Sequence, residues 1–145
     1  MNLGPNRSSE DLLRHLLVPV ATVEDARATA RALAPYRLQR VTVLHVVEKG
    51  EGVPDKTPVE QSESIAEEAF EAFREAVPDA DDHVAYRRDV VAGILDAAGE
   101  LDASAIAFRP REGGRLLQLL SGDRSLRLVR EANRPVITVP DEGEE

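Results

Sequence analysis

The feature that most constrains the fold is the alternation of short apolar runs with longer amphipathic stretches. Five short runs are predicted to be strands, at residues 16–20, 41–47, 83–87, 104–108 and 136–139. The longer stretches between them repeat apolar residues every three or four positions, which is typical of helices. Strands that alternate with helices indicate βαβ units with right-handed crossovers. The sequence therefore predicts an α/β fold whose open, five-stranded parallel sheet is doubly wound by about four helices.

Two helix starts carry recognisable capping residues. Thr22 is followed three residues later by Asp25, which resembles a capping box, and Asp89 precedes the apolar stretch after the third predicted strand. Side-chain oxygens at these positions accept hydrogen bonds from the free amides of a first helical turn. We therefore expect helices to begin directly after Thr22 and Asp89.

The predicted strands also indicate where a ligand would bind. On open parallel sheets, ligands bind outside the carboxyl ends of the strands, near the point where the strand order switches. This directs attention to the loops that follow Val20, Val47 and Phe108.

The chain length of 145 residues fits one domain. We assign residues 14–140 to this domain. Residues 1–13 are polar and contain glycine and proline, so we expect a tail or a linker from an upstream segment, and residues 141–145 form an acidic tail.

Composition and spacing exclude several classes of function. The formal net charge of −9 opposes binding to nucleic acid or to an anionic membrane, and no apolar run is long enough to insert into a bilayer. The chain has no cysteine, which fits a cytoplasmic protein. Its three histidines, His15, His45 and His83, lack metal-ligand spacing, and neither a Gly-x-Ser-x-Gly elbow nor a Walker motif is present. We therefore predict no metal site and no hydrolytic triad.

The region assigned to the domain carries four short motifs in order. They are LVPV at residues 17–20, VLHV at 43–46, LLSG at 119–122 after a glycine-containing loop, and RPVITV at 134–139. In their order and spacing these motifs resemble the universal stress protein (UspA-like) family. The resemblance implies a three-layer α/β/α fold of the adenine nucleotide alpha hydrolase-like type.

The nucleotide motif of that family is poorly kept in this chain. Family members that bind ATP resemble one another in a G-x2-G-x9-G-S/T pattern, in which glycines let the backbone approach phosphates. The pattern falls on Arg109, Glu112, Gly122 and Asp123, of which only Gly122 matches. A carboxylate at Asp123 would repel a phosphate, by about 4 kcal/mol at about 4 Å and an effective dielectric of about 20. The same carboxylate could instead cap a helix start.

Two further positions of the family site bear on nucleotide binding. The acidic residue that holds the ribose in the family falls on Ala21, so a hydrogen-bond acceptor is missing. Val46 keeps the position whose backbone meets adenine in the family, but a backbone contact depends little on residue type. No cofactor is expected; binding of ATP or AMP remains open but is disfavoured.

An arginine cluster leaves two interpretations open. Its members are Arg109, Arg111, Arg115 and Arg124. Guanidinium groups suit phosphates and carboxylates, so the cluster could be a surviving anion site. Alternatively, these arginines pair at the surface with Glu112, Asp123 and acidic residues of the helices.

The last strand predicts a partner. At the edge of a sheet, a strand leaves amides and carbonyls free to pair with another chain. The resemblance implies a two-fold, antiparallel homodimer through this strand, with Val136, Ile137, Thr138 and Val139 at the interface.

These observations predict a stress-response or regulatory module that is not an enzyme, does not bind ATP in the usual way, and acts through its dimer or an unidentified protein partner. One alternative is the cytoplasmic regulatory domain of a membrane transporter, because the family also occurs fused to permeases and antiporters. Another is an adenine-nucleotide-binding protein that uses the arginine-rich loop and hydrolyses ATP slowly.

Overall fold

The computed structural model describes residues 9–48, 59–109 and 122–140, and these residues form an α/β fold around one parallel sheet. The strands are β1 (Leu16–Pro19), β2 (Val41–Glu48), β3 (Asp81–Arg87), β4 (Ala105–Phe108) and β5 (Val136–Thr138). The helices are α1 (Ser9–Leu12), α2 (Val23–Leu33), α3 (Val59–Arg74), α4 (Val90–Glu100) and α5 (Gly122–Glu131). The predicted fold class, a doubly wound sheet of five parallel strands, is confirmed.

The strand order is β3-β2-β1-β4-β5, so the chain first builds outward from β1 on one side and then returns to its other side. The switch in strand order therefore lies between β1 and β4. Strands β3 and β5 are the two edges of the sheet, so the last strand lies at an edge as expected.

Two apolar cores lie on opposite faces of the sheet. Helices α2 and α3 cover one face, where they pack on alternate strand residues such as Leu16, Val18 and Val43. Helices α4 and α5 cover the other face, where they pack on residues such as Leu17 and Leu44. Because successive strand residues point to opposite faces, the parity of a position tells which helix layer its side chain meets.

The first helix was not predicted. Helix α1 is a single turn of four residues inside the segment assigned to the tail. It is too short to show the apolar periodicity by which the other helices were predicted. The turn is held by its contacts with the domain, since the Ser104 hydroxyl donates to the carbonyl oxygen of Leu12 at 2.7 Å and Leu13 packs partly buried against the α2/α3 core. Residues 1–8 and the acidic tail at 141–145 lie outside the described residues. Within the ranges described here, no helix combines the length and apolar character needed to cross a membrane.

A buried histidine lies at the amino end of the sheet. His15 precedes β1, is 2% exposed, and shares a 2.8 Å hydrogen bond between its Nε2 atom and the Thr42 hydroxyl. Burial, followed by the nearby charges of Arg40 and Arg14, lowers the pKa of His15 below its ordinary value. The folded protein therefore favours a neutral imidazole at this position.

Candidate functional site

The candidate site lies where β1 ends and α2 begins. The Thr22 hydroxyl accepts a hydrogen bond from the backbone amide of Asp25 at 3.0 Å, which confirms Thr22 as the cap of α2. The Asp25 carboxylate folds back in the same turn, and its Oδ2 atom accepts from the amide of Ala21 at 2.9 Å. Ala21 is therefore part of this loop, but its amide already has an acceptor within the chain.

An arginine from the neighbouring strand reaches the same carboxylate. In β4, Ala105 and Ala107 face the α2/α3 core. Because side chains alternate between the two faces of a strand, Arg109 lies on the same face, just beyond the carboxyl end of β4. Its Nη2 atom lies 3.5 Å from the Asp25 Oδ1 atom, and the two side chains are only 10% and 11% exposed. The Thr29 hydroxyl also donates to this oxygen, at 3.4 Å. A largely buried ion pair thus joins the two loops at the switch in strand order.

Strand β2 contributes a histidine to the same region. His45 Nδ1 donates to the carbonyl oxygen of Val20 at 3.3 Å, directly before the Ala21 loop. Burial lowers the pKa of His45, so the imidazole favours its neutral form. The side chain of Val46 points to the opposite face, where a Cβ atom added to Gly93 would lie 3.1 Å from it. Only the backbone of Val46 is therefore placed to meet a ligand on the α2 side.

The start of α5 holds three of the predicted site residues. Gly122 begins the helix, Asp123 is exposed in its first turn, and the Arg124 Nη2 atom lies 3.0 Å from the Glu48 Oε2 atom at the end of β2. Both partners of this pair are about half exposed, so solvent screens their attraction. Capping by Asp123 stays a prediction.

Two arginines of the cluster form ion pairs with acidic residues of the chain. Arg109 pairs with Asp25, an acidic residue of a helix as expected, but the pair is largely buried and not at the surface. Arg124 pairs with Glu48 at the end of β2. Arg111, Arg115 and Glu112 lie outside the described residues. Among the residues that are described, no three histidine, aspartate or glutamate side chains gather closely enough to hold a metal ion.

The sequence predicted Asp25 as part of a helix cap and missed its ion pair. One signal could have indicated it: the alternation in the fourth strand points Arg109 toward the helix layer that follows the first strand. Two charges of opposite sign would then meet at the carboxyl edge.

The fold and the polar groups at the switch in strand order define an α/β domain of the kind that binds ligands at this edge. A profile of the universal stress protein family matches residues 13–140. The chain belongs to the universal stress protein family, which confirms the resemblance seen in the sequence. No curated protein is significantly similar to the chain.

Solved structures support the fold. The universal stress protein of Archaeoglobus fulgidus, solved in complex with dAMP, has 23% sequence identity and a TM-score of 0.65, and the match covers 88% of this chain and 98% of that chain. A universal stress protein family protein from Arabidopsis thaliana, solved with AMP bound, has 14% identity and a TM-score of 0.58, covering 90% and 93% of the two chains. At these identities the similarity concerns the fold.

Proposed function

We propose that this universal stress protein is a dimeric regulatory module of the cytoplasm that is not an enzyme and does not bind ATP in the usual way. The observation that carries the proposal is the Asp25–Arg109 ion pair at the switch in strand order. Groups that a nucleotide could use at this edge are already engaged within the chain.

Three features of the site support weak or absent ATP binding. The Ala21 amide is held by the Asp25 carboxylate, so it is not free for a ligand oxygen. The charge of Arg109 is balanced by that carboxylate at 3.5 Å. In addition, Asp25 places a negative charge beside any entering phosphate, and like charges repel most strongly where solvent is excluded.

The two edges of the sheet differ in a way that supports a dimer through β5. Edge strands that must not pair commonly carry charged side chains. Strand β3 begins with Asp81 and Asp82, which form ion pairs with Arg40 and Arg74. Strand β5 consists of Val136–Thr138 and carries no charge.

The backbone of β5 is also suitably placed for pairing. Pro135 accepts from Ile106, and Val139 donates to Phe108, each at 2.9 Å, so these alternate residues face β4. The backbone groups of Val136 and Thr138 consequently point to the outer side.

Beside this strand lies a cavity of about 300 Å³. Its lining is mainly apolar and includes Leu12, Leu16, Tyr36, Leu38, Ile137 and Val139.

Calorimetric titration with ATP, ADP and AMP, with magnesium and at low and high salt, tests the nucleotide part of the proposal. We expect no heat of binding and no thermal stabilisation. Micromolar, magnesium-dependent binding of ATP would contradict the proposal. Measurement at two salt concentrations identifies weak association that is purely electrostatic, because ions screen it.

Sedimentation velocity tests the dimer. Replacing Thr138 with proline removes an outward amide without removing a hydrogen bond to β4. We expect a dimer for the wild type, a shift toward monomer for Thr138→Pro, and a dimer for the control Thr138→Val, which keeps the amide. A monomeric wild type, or a Thr138→Pro dimer of unchanged affinity, would contradict pairing through β5.

A second function, adenine-nucleotide binding with slow hydrolysis, is favoured by the position of two arginines. Arg109 follows β4 and Arg124 lies in the first turn of α5, and relatives of the same fold were solved with dAMP and AMP. If these arginines replace the glycine-loop amides, then Arg109→Ala and Arg124→Ala each abolish nucleotide binding. Unchanged binding in both variants would reject this role of the arginines, and the absence of nucleotide binding by the wild type would reject the function.

A further inference from the structure

The switch in strand order places the loop after β1 beside the end of β4. Helix α2 follows β1 on one face, and Arg109 leaves β4 toward that same face. Asp25 and Arg109 therefore meet at the crevice where ligands bind on doubly wound sheets.

The contacts of the Asp25 carboxylate are those that an anion would make at such a position. It accepts from the Ala21 amide at 2.9 Å and from the Thr29 hydroxyl at 3.4 Å, and it faces the Arg109 guanidinium at 3.5 Å. A backbone amide at a helix start, a hydroxyl and a guanidinium are the donors by which proteins bind phosphate. Here a side chain of the protein supplies the anion.

Burial strengthens the influence of the Asp25–Arg109 pair on which ligands can bind. Both side chains are about nine-tenths buried, so solvent does little to screen their charges. An anionic ligand would have to displace the Asp25 carboxylate, which would leave a largely buried negative charge without this partner, or lie beside a guanidinium whose charge is already balanced.

We propose that Asp25 is the specificity-determining residue of this site: its carboxylate occupies an anion position at Arg109 and thereby excludes phosphate-bearing ligands. The inference rests on the proposed function, which it explains. Neutralising the carboxylate while keeping its shape removes the negative charge that faces the guanidinium, so an external anion can take that place. The ligand class revealed in this way is a phosphate monoester or inorganic phosphate.

The test compares Asp25→Asn with the wild type, using AMP and inorganic phosphate as probes in calorimetric titrations at constant ionic strength. A charge-assisted hydrogen bond from the Arg109 guanidinium to the probe corresponds to a gain in affinity of about ten- to a hundredfold for Asp25→Asn. Asp96→Asn is the matched control, because Asp96 also lies on a helix and pairs with an arginine at the end of a strand, Arg87, but this pair is far more exposed to solvent. We expect no gain for this control.

A third variant locates the binding. The double variant Asp25→Asn/Arg109→Gln is expected to lose the gained affinity. Persistence of the gain in the double variant, or an equal gain in Asp96→Asn, would overturn the proposal. So would the absence of any gain in a folded Asp25→Asn protein, and this result would leave the proposed function intact. Tight ATP binding by the wild type, in contrast, would contradict the proposed function itself.

Folding of the variants is measured by thermal unfolding in the same buffers. Asp25→Ser provides a second neutral side chain that still accepts a hydrogen bond at the helix start. If neither the asparagine nor the serine variant folded, Asp25 would be a structural requirement instead of a specificity residue, and the proposal would be overturned.

Discussion

Neutralising either partner of the Asp25–Arg109 pair should destabilise the protein strongly, because the other charge stays buried. At the observed 3.5 Å separation, the attraction is about 5 kcal/mol for an effective dielectric of about 20. Desolvation of both groups offsets much of this attraction in the wild type. Removal of one partner from a buried pair nevertheless costs about 3–5 kcal/mol, since the penalty for the remaining charge is no longer compensated.

A double-mutant cycle measures the pair. We expect Asp25→Asn and Arg109→Met each to lower the free energy of unfolding by about 3 kcal/mol, which corresponds to about 6–12 °C in Tm for a domain of this size. The double variant removes both charges and is expected to lose far less than the sum, with a coupling energy of at least about 2 kcal/mol. The assay is urea unfolding followed by circular dichroism.

The exposed pair of Arg27 and Glu75 provides the control cycle. Its side chains are 37% and 58% exposed and are joined by a 3.0 Å contact, shorter than that of the buried pair. We expect Arg27→Gln and Glu75→Gln to be additive within error, because solvent screens exposed charges. Additive effects of Asp25→Asn and Arg109→Met would refute the reasoning, since they would mean that burial does not strengthen the pair.

Three further predictions concern the packing and the amino end of the sheet. Leu128 is fully buried in α5, so Leu128→Ala should lower the free energy of unfolding by about 2–5 kcal/mol. Leu126 is 56% exposed, so Leu126→Ala should change it by no more than about 0.5 kcal/mol. Similar losses for both variants in chemical unfolding would contradict the two-layer packing. Gly99→Ala should stabilise the protein by about 0.5–1 kcal/mol, because the added Cβ in α4 meets open space. Gly93→Ala should give no stabilisation, because its Cβ would lie 3.1–3.3 Å from two side chains. An equal rise in Tm for the two variants would refute this difference. Because the folded state lowers the pKa of His15, the unfolded chain binds more protons below about pH 6.5, and the free energy of unfolding falls as the pH drops from there. His15→Asn should reduce the difference in stability between pH 7 and pH 5, measured by denaturation curves. An unchanged difference would contradict a buried, neutral His15.

The sheet could be predicted from the sequence because each strand is specified locally. Central strands of a parallel sheet are buried on both faces, so β1 and β4 are nearly continuous apolar runs whose predicted bounds lie within one residue of those observed. The caps of α2 and α4 were predictable for the same reason, since Thr22 and Asp89 each bond amides only two or three residues away.

The site could be predicted only in part because its contacts join distant segments. The sequence indicated the loops after β1 and β4 and named Ala21 and Arg109, but the alternation in β4 alone did not show that Asp25 would bridge them. That pairing depends on the strand order, which places β4 beside β1 and not beside β3. Helix α1 was missed for a similar reason, because its single turn is held by Ser104, a residue far along the chain.

The most direct test of the central claim is the nucleotide content of the protein as purified. Protein prepared without added nucleotide is denatured, and the released small molecules are separated by ion-exchange chromatography and measured by absorbance at the adenine maximum. If the Asp25–Arg109 pair closes the site, the wild type releases no adenine nucleotide. Release of ATP or AMP in a ratio near one per chain would contradict the claim, since it would mean that the site accepts a phosphate-bearing ligand despite the carboxylate.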